Sequence, residues 1–522
     1  MTNTFDLAIN NARIIDGTGS PTWRGAVGIR GGRIAAVSDM DLQAAAVINA
    51  GGQVLAPGFI DLHSHADFTL GTDPQALTQI SQGVTTLLTG NCGSSPFPLK
   101  DVDALKSAAS FLEPVLPWDW QDASGFAGSL AAARPAVNTA LQVGHSALRL
   151  AVIGDEQRAP ASGELEQMQD LLREAAAQGV KGYSTGLIYA PCSYASTEEV
   201  TALAETAAEC GMLYSTHMRN ETDHLLEAVA EAISVARATG VRLEISHIKA
   251  MGPRNHGKVA EALQLMADAR AEGLDVTADV YPYTASSTTL NSRLPDWSLD
   301  GGGPALLARL ADPDERRRIS TALAQRFEGE IDPAGIVLAS MPQGKYSPWI
   351  GHPLTDAASA AGLSPSDAAL DVLAEHRATV AIVNHAMADA DVEAALRDPF
   401  VAVASDGWIM TESGAGTPHP RSFGTFTRVL GRYVRELGTI SLEEAVRKMT
   451  SLPAGRVGLT DRGTIGVGKV ADLTVFDPES VADHSTYSEP WQLSTGITHV
   501  VVGGETVWAD GATTGVRAGR VL

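Results

Sequence analysis

Cysteine is scarce in this chain: Cys92, Cys192 and Cys210 are the only three in 522 residues. They are too few and too scattered for a disulfide framework, and their odd number predicts a reducing, cytoplasmic setting. Basic residues are also few, with 38 Lys and Arg against 61 Asp and Glu, a formal charge of -23. That balance repels a phosphate backbone, so nucleic acid is not an expected partner, and the acidity reads as a solvated surface. Runs of about 18 apolar residues, the length that spans a bilayer, are missing. Met1 to Ile14 lacks the basic start and apolar stretch of a secretion signal, so no membrane role is expected. Internal repeats and low-complexity tracts are absent too.

What is present describes an ordinary globular protein: 44% hydrophobic residues, 19% charged residues and 51 glycines. The length exceeds what one core usually holds, which predicts a large barrel with insertions or two domains. The first 58 residues read as short strands joined by glycine turns: 7–15, 26–30, a Gly31-Gly32 turn, 34–37 and 53–55. The tail repeats the style with 471–476, 498–502, a Gly503-Gly504 turn and 505–508. Between these ends, apolar runs alternate with alanine-rich helical stretches at 164–178, 198–210 and 225–239.

That alternation predicts an α/β fold with parallel strands, and its order favours a (β/α)8 barrel over an open sheet. Nine runs are candidate strands: 58–63, 85–89, 139–144, 180–184, 213–217, 242–247, 276–281, 379–384 and 401–405. One of them must lie outside an eight-stranded barrel. The interval 286–349, with Asp300-Gly301-Gly302-Gly303-Pro304 and the charged stretch 314–318, breaks the rhythm and reads as an insertion or lid. The expected division is 1–58 and 461–522 for a small β-domain, and 59–460 for the catalytic barrel.

Several of these strands end in metal-ligand types. In Pro57-Gly58-Phe59-Ile60-Asp61-Leu62-His63-Ser64-His65 two histidines stand two residues apart, on one face of a strand end. His217 closes 213–217 and His247 closes 242–247, about one βα unit later. Any one of these histidines alone could as well be a surface or a buried, hydrogen-bonded residue; four at three strand ends point to a metal. In a parallel barrel the C-terminal strand ends form the active site. Cys92, in Gly90-Asn91-Cys92-Gly93, offers a thiolate suited to zinc, or else is a small apolar residue. Asp406, in Ala404-Ser405-Asp406-Gly407, can touch a metal and move a proton, or else cap a turn.

Taken together, the motifs resemble the N-acyl-D-amino-acid deacylases (D-aminoacylases) of the amidohydrolase superfamily. Besides 57–65, the resemblance rests on Gly-Asn-Cys-Gly-Ser-Ser-Pro (90–96), Gly-Tyr-Ser-Thr-Gly-Leu-Ile-Tyr (182–189), Ser-Thr-His-Met-Arg (215–219), Glu-Ile-Ser-His-Ile-Lys (244–249), Asp-Val-Tyr-Pro-Tyr (279–283), Ala-Ser-Asp-Gly (404–407) and His-Pro-Arg-Ser-Phe-Gly-Thr-Phe (419–426). It runs over nearly the whole chain. It implies a tightly bound zinc on Cys92, His217 and His247, and a weaker second site shaped by His63, His65 and Asp406 and sharing Cys92. It also implies a small β-sandwich made from both chain ends. Lys249, Tyr189, Tyr283 and Ser287 look like substrate-contacting positions, with Lys249 suited to the α-carboxylate of a small N-acyl amino acid. The implied reaction is hydrolysis of an N-acyl-D-amino acid by a metal-bound water, with Asp406 as general base and then acid.

Alternatives stay open at this stage. A cyclic-amide hydrolase of the hydantoinase or dihydroorotase kind would need Lys181 carboxylated and bridging two metals, yet Lys181 sits toward the N-terminal end of its strand. A nucleobase deaminase would use an acid after the fifth strand, where Glu221 lies four residues beyond His217. A barrel that has lost catalysis would lack ligands that are intact here. His145 is a candidate near the oxyanion, or a structural histidine. Cys192 and Ser193 depart from the glycine and long polar residue expected after Ala190-Pro191, which bears on side-chain specificity and not on the chemistry.

Overall fold

The computed structural model describes residues 5–100, 102, 105 and 116–522. Met1 to Thr4, where the reading for a secretion signal and the 1–58 segment begin, lie outside the described residues. Eight parallel strands form the centre: β1 (Phe59–Asp61), β2 (Val84–Thr89), β3 (Asn138–Gly144), β4 (Gly182–Gly186), β5 (Leu213–His217), β6 (Arg242–Ile245), β7 (Val276–Val280) and β8 (Val401–Val403). They are hydrogen-bonded in sequence order from β1 to β8.

The ring closes through the residues just beyond β1 and β8. Ser64 and Gly407 form a parallel bridge. Asp406 N–H donates to His63 O at 2.8 Å and His65 N–H donates to Gly407 O at 2.8 Å. Ser405 N–H donates to the Asp61 carboxylate at 2.9 Å. Barrel closure therefore brings the His-Ser-His segment beside Asp406 directly.

The helices between strands bury one apolar stripe each. Leu225–Thr239 packs Leu225, Ala228, Val229, Ala232, Ile233 and Ala236 inward at three- and four-residue spacing and stops at Gly240. Thr197–Glu209 starts where the Ser196 side chain accepts the Glu199 N–H. Polar residues inside the ring are matched in pairs: Ser215 donates to the Gln142 side chain, which donates to Asn91 under the Cys92 turn.

The ninth candidate, 379–384, is buried and apolar like the others, and it lies outside the barrel. It forms Ala381–His385, the middle strand of an antiparallel three-stranded sheet with Ala285–Thr289 and Ile336–Ser340. Four helices cover that sheet, from Gly302–Ala311 to Pro365–Glu375, around a core of its own that includes Leu306, Ile319, Leu323, Leu338, Leu370 and Ile382. This unit reaches from Ala285 to His385, well beyond the 286–349 expected. Burial on both faces gives a strand no periodicity by which sequence could tell parallel from antiparallel pairing.

Both chain ends build one nine-stranded sheet. Leu473–Phe476 from the tail runs antiparallel to Val54–Pro57 from the start, with Leu473 opposite Pro57. Gly31 and Gly32 both have positive φ, the conformation that joins Trp23–Arg30 to Arg33–Ser38 by a two-residue hairpin. Among the described residues no helix is long and apolar enough to cross a membrane.

Candidate metal centre

Each residue expected at the centre stands at the C-terminal rim of a strand. His63 and His65 follow β1, Cys92 follows β2, His217 ends β5, His247 follows β6 and Asp406 follows β8. Cys92, His247 and Asp406 have φ values of 53, 36 and 50°, a left-handed backbone that costs energy in a non-glycine residue and gathers at functional sites. Surrounding bonds hold these turns. His247 N–H donates to Asp279 at 2.8 Å, and the same carboxylate lies 3.4 Å from His63 Nδ1. Burial raises the Asp279 carboxyl to about 8.

Around Cys92 Sγ three ring nitrogens converge: His63 Nε2 at 3.3 Å, His247 Nε2 at 3.3 Å and His217 Nδ1 at 3.7 Å. Donors held around zinc at about 2.0–2.3 Å in a tetrahedron are about 3.3–3.8 Å apart, so these spacings fit the ion. The chemistry fits too. Burial lowers His63 to about 3 and lowers His217 and His247, keeping the imidazoles neutral with lone pairs free. Burial pushes the Cys92 thiol well up, which a bound cation would reverse. Asp406 Oδ1 lies 3.0 Å from His65 Nε2 and 3.5 Å from His63 Nε2. Among the described residues the donor atoms of His63, Cys92, His247 and Asp406 form one group within 4.8 Å of one another, and those of His217, Glu221 and His247 form a second. His247 belongs to both groups, so the split expected between a tight and a weak site is less sharp in the geometry.

Arg421, quoted in a motif but given no role from sequence, donates to Asp406 Oδ2 at 2.6 Å. Burial works to raise the Asp406 carboxyl. Arg421 and the histidines override it and hold the carboxyl well below the usual carboxylate range.

A cavity of about 860 Å³ opens over the cluster, of the size that takes small ligands. Tyr189, Lys249 and Ser287 line it, as do Tyr281, Arg293 and Arg421. Tyr189 accepts a hydrogen bond from Thr288 at 3.2 Å and sets its ring edge-on to His217. Lys249 Nζ lies 2.5 Å from Glu221 Oε1 and 2.7 Å from His247 Nδ1.

Tyr283 stands behind the wall instead of in it. Its N–H donates to Tyr281 O at 2.9 Å, a tight turn through Pro282 that sends the two rings apart. Tyr281 faces the cavity, while Tyr283 packs on His419 with its hydroxyl on Pro420 O. His145 lies 2.8 Å from Glu199, which Arg149 also pairs, and it does not line the cavity. Lys181 does not line it either. Sequence reasoning gave no role to Arg421, Asp279 or Arg293. For Asp279 the available signal was an ionisable residue near the C-terminal end of a buried strand, the same signal that found Asp406; Arg421 opens a helix and carried no such signal.

A closed parallel barrel with cysteine, histidines and a carboxylate converging under one cavity at its C-terminal mouth defines a barrel hydrolase with a metal-ligand site. The family model described as amidohydrolase matches residues 46–508. The chain belongs to the amidohydrolase family. It is 38% identical to a D-aminoacylase of Alcaligenes xylosoxydans xylosoxydans, over 99% of this chain and 97% of the relative. It is also 38% identical to an N-acyl-D-glutamate deacylase of the same organism, over 100% and 97%. A crystal structure of N-acyl-D-glutamate deacylase from Bordetella bronchiseptica, complexed with zinc and a phosphonate mimic of the tetrahedral intermediate, superimposes with a TM-score of 0.84 at 36% identity, covering all of both chains.

Proposed function

We propose that this protein is a zinc-dependent N-acyl-D-amino-acid deacylase, which splits the amide of a linear substrate into a carboxylate and the free D-amino acid. The observation that carries the reading is the convergence of three imidazole nitrogens on Cys92 Sγ at 3.3, 3.3 and 3.7 Å beneath a substrate-sized cavity. The D configuration rests on the relatives named above. We assign Cys92, His217 and His247 to the tighter zinc and His63, His65 and Asp406 to the weaker site sharing Cys92. Zinc bound there supplies Lewis acidity to the acyl carbonyl and brings the pKa of water toward neutrality.

The chain's own groups do the rest. Asp406 Oδ1 faces the histidines while Oδ2 is pinned by Arg421, so its free lone pairs point to one place. There it takes the proton of the attacking water and returns it to the departing amine nitrogen. Among the buried cations that line the cavity, Lys249 is matched by Glu221 and Arg421 by Asp406. Arg293 is buried, its Nε donates to Ser292 at 3.2 Å, and among the described residues no carboxylate pairs with it. An unmatched buried guanidinium beside a hydrolytic centre supports a substrate that carries a carboxylate. Lys249, with one N–H committed to Glu221, has donors left for the same group, and the Tyr189 and Ser287 hydroxyls orient the substrate beside it.

The bridging lysine of a cyclic-amide hydrolase has no counterpart in this cavity, which favours linear amides. Free Cys92, Cys192 and Cys210 support the cytoplasmic placement. The test is hydrolysis of paired N-acetyl-D- and N-acetyl-L-amino acids, including methionine, leucine, phenylalanine and glutamate, by zinc-loaded protein. Release from the D series alone is expected. Release from neither series, or from the L series alone, contradicts the proposal.

A further inference from the structure

Glu221 lies just past β5, four residues beyond His217, and is buried. It touches both histidines assigned to the tighter zinc, in each case on the nitrogen that faces away from Cys92. Glu221 Oε1 is 3.2 Å from His247 Nδ1, and Oε2 is 3.4 Å from His217 Nε2. His217 Nε2 is fully buried and makes no hydrogen bond of regular geometry among the described residues, with the Glu221 carboxylate 3.4 Å from it.

We infer that Glu221 is a positioning residue: one carboxylate that fixes the tautomer and tilt of two zinc-ligating histidines at once. The inference rests on the zinc-deacylase reading. A neutral imidazole carries one proton, and ligation needs the other nitrogen bare. His217 turns Nδ1 toward Cys92 and so must carry its proton on Nε2. His247 turns Nε2 toward Cys92 and so must carry its proton on Nδ1. Each proton needs an acceptor, and the two oxygens of Glu221 are the acceptors facing them.

Lys249 completes the device. Its ammonium is 2.7 Å from His247 Nδ1 and, having donors only, bonds that nitrogen only while it is bare; zinc on Nε2 would send the ring's proton to Nδ1 and turn the ammonium away from it. With Nδ1 protonated, Lys249 gives its hydrogen bond to Glu221 Oε1, 2.5 Å away, and holds the carboxylate in place. The carboxylate makes no direct contact with Cys92 in the set of donors around the thiol, so it acts through the rings.

The experiment is zinc affinity by chelator competition in wild type and Glu221→Gln, with the melting temperature of both metal-free proteins as the control for folding. Outer partners of ligating histidines are typically worth about 10–100-fold in metal affinity. Glu221→Gln should weaken zinc by that factor and leave the number of zinc ions per chain unchanged, while the metal-free melting temperature falls because buried Lys249 loses its partner and stays above the temperature of the zinc titration. Wild-type affinity in the variant overturns the inference. Loss of one whole equivalent of zinc overturns it as well, because Glu221 would then be a ligand. A second measurement needs no variant: nitrogen-15 histidine correlation spectra of the zinc-loaded wild type should show His217 protonated on Nε2 and His247 on Nδ1, and the opposite tautomer at either ring overturns it. A wild type that binds no zinc at all refutes the deacylase reading, and this inference with it.

Discussion

Gly186 ends β4 opposite His217, and a methyl group there would meet the backbone of the metal-site turn. A Cβ built on Gly186 falls 2.0 Å from Cys92 O and 2.7 Å from its carbonyl carbon, where real Cβ contacts do not come under 3.0 Å. The obstacle is backbone, so no side chain can swing away, and the turn must retreat by about 1 Å. Cys92 already sits at φ 53° between two glycines of positive φ, so the shift is passed on to Sγ. The three nitrogen distances around Sγ differ by only a few tenths of an ångström, and a 1 Å displacement takes the thiol out of a common tetrahedron. Misplacement of that size costs roughly 100-fold in rate, and disturbing a ligand costs zinc affinity on top. Gly186→Ala should therefore lose zinc by chelator competition and lose about 100-fold in kcat. Gly163→Ala, on an exposed helical face with nothing within 4 Å of the new methyl, should change neither. Gly186→Ala with wild-type zinc affinity and turnover would refute this account of how the turn presents Cys92.

Asp406→Asn should lower kcat by roughly 100- to 10,000-fold, the span of general acid–base catalysis, while the tighter zinc assigned to Cys92, His217 and His247 stays bound; near-normal turnover removes Asp406 from the proton path. Arg293→Met should raise KM for carboxylate-bearing substrates by roughly 10–100-fold, the worth of a hydrogen bond to a charged group, with kcat little changed; an unchanged KM shows that Arg293 does not hold the substrate. His145 links stability to pH. Burial works to lower it, but Cys192 and Glu199 outweigh burial and raise it to about 9. A folded value above the unfolded one stabilises fully below about pH 6.5 and is lost as pH rises through 9. The melting temperature of wild type relative to His145→Gln should fall between those limits; a pH-independent difference contradicts the assignment.

The barrel was legible because eight of its strands are buried, apolar and spaced by helical stretches, and because four histidines and an aspartate sit just where those strands stop. Closure of β1 on β8 is what turns these separate signals into one site, and the short sequences Leu62-His63-Ser64-His65 and Ser405-Asp406-Gly407 contain both halves of it. The strand Ala381–His385 was not distinguishable from a barrel strand, because a run buried on both faces carries no mark of its partners. The strand Ala44–Asn49 escaped notice because it is mostly exposed and rich in alanine. Tyr281 and Tyr283 have the same spacing on paper, and only the turn at Pro282 decides which of them meets the substrate. Arg421 reaches Asp406 from the start of a helix and Glu221 reaches His247 beyond the next strand, so these roles depend on tertiary contacts that no local pattern encodes.

Zinc K-edge absorption on the loaded protein tests the central claim most directly. The account predicts one sulfur scatterer at about 2.3 Å together with imidazole nitrogens at about 2.0 Å, and loss of the sulfur shell in Cys92→Ala. A zinc site with only nitrogen and oxygen ligands in the wild type would contradict it.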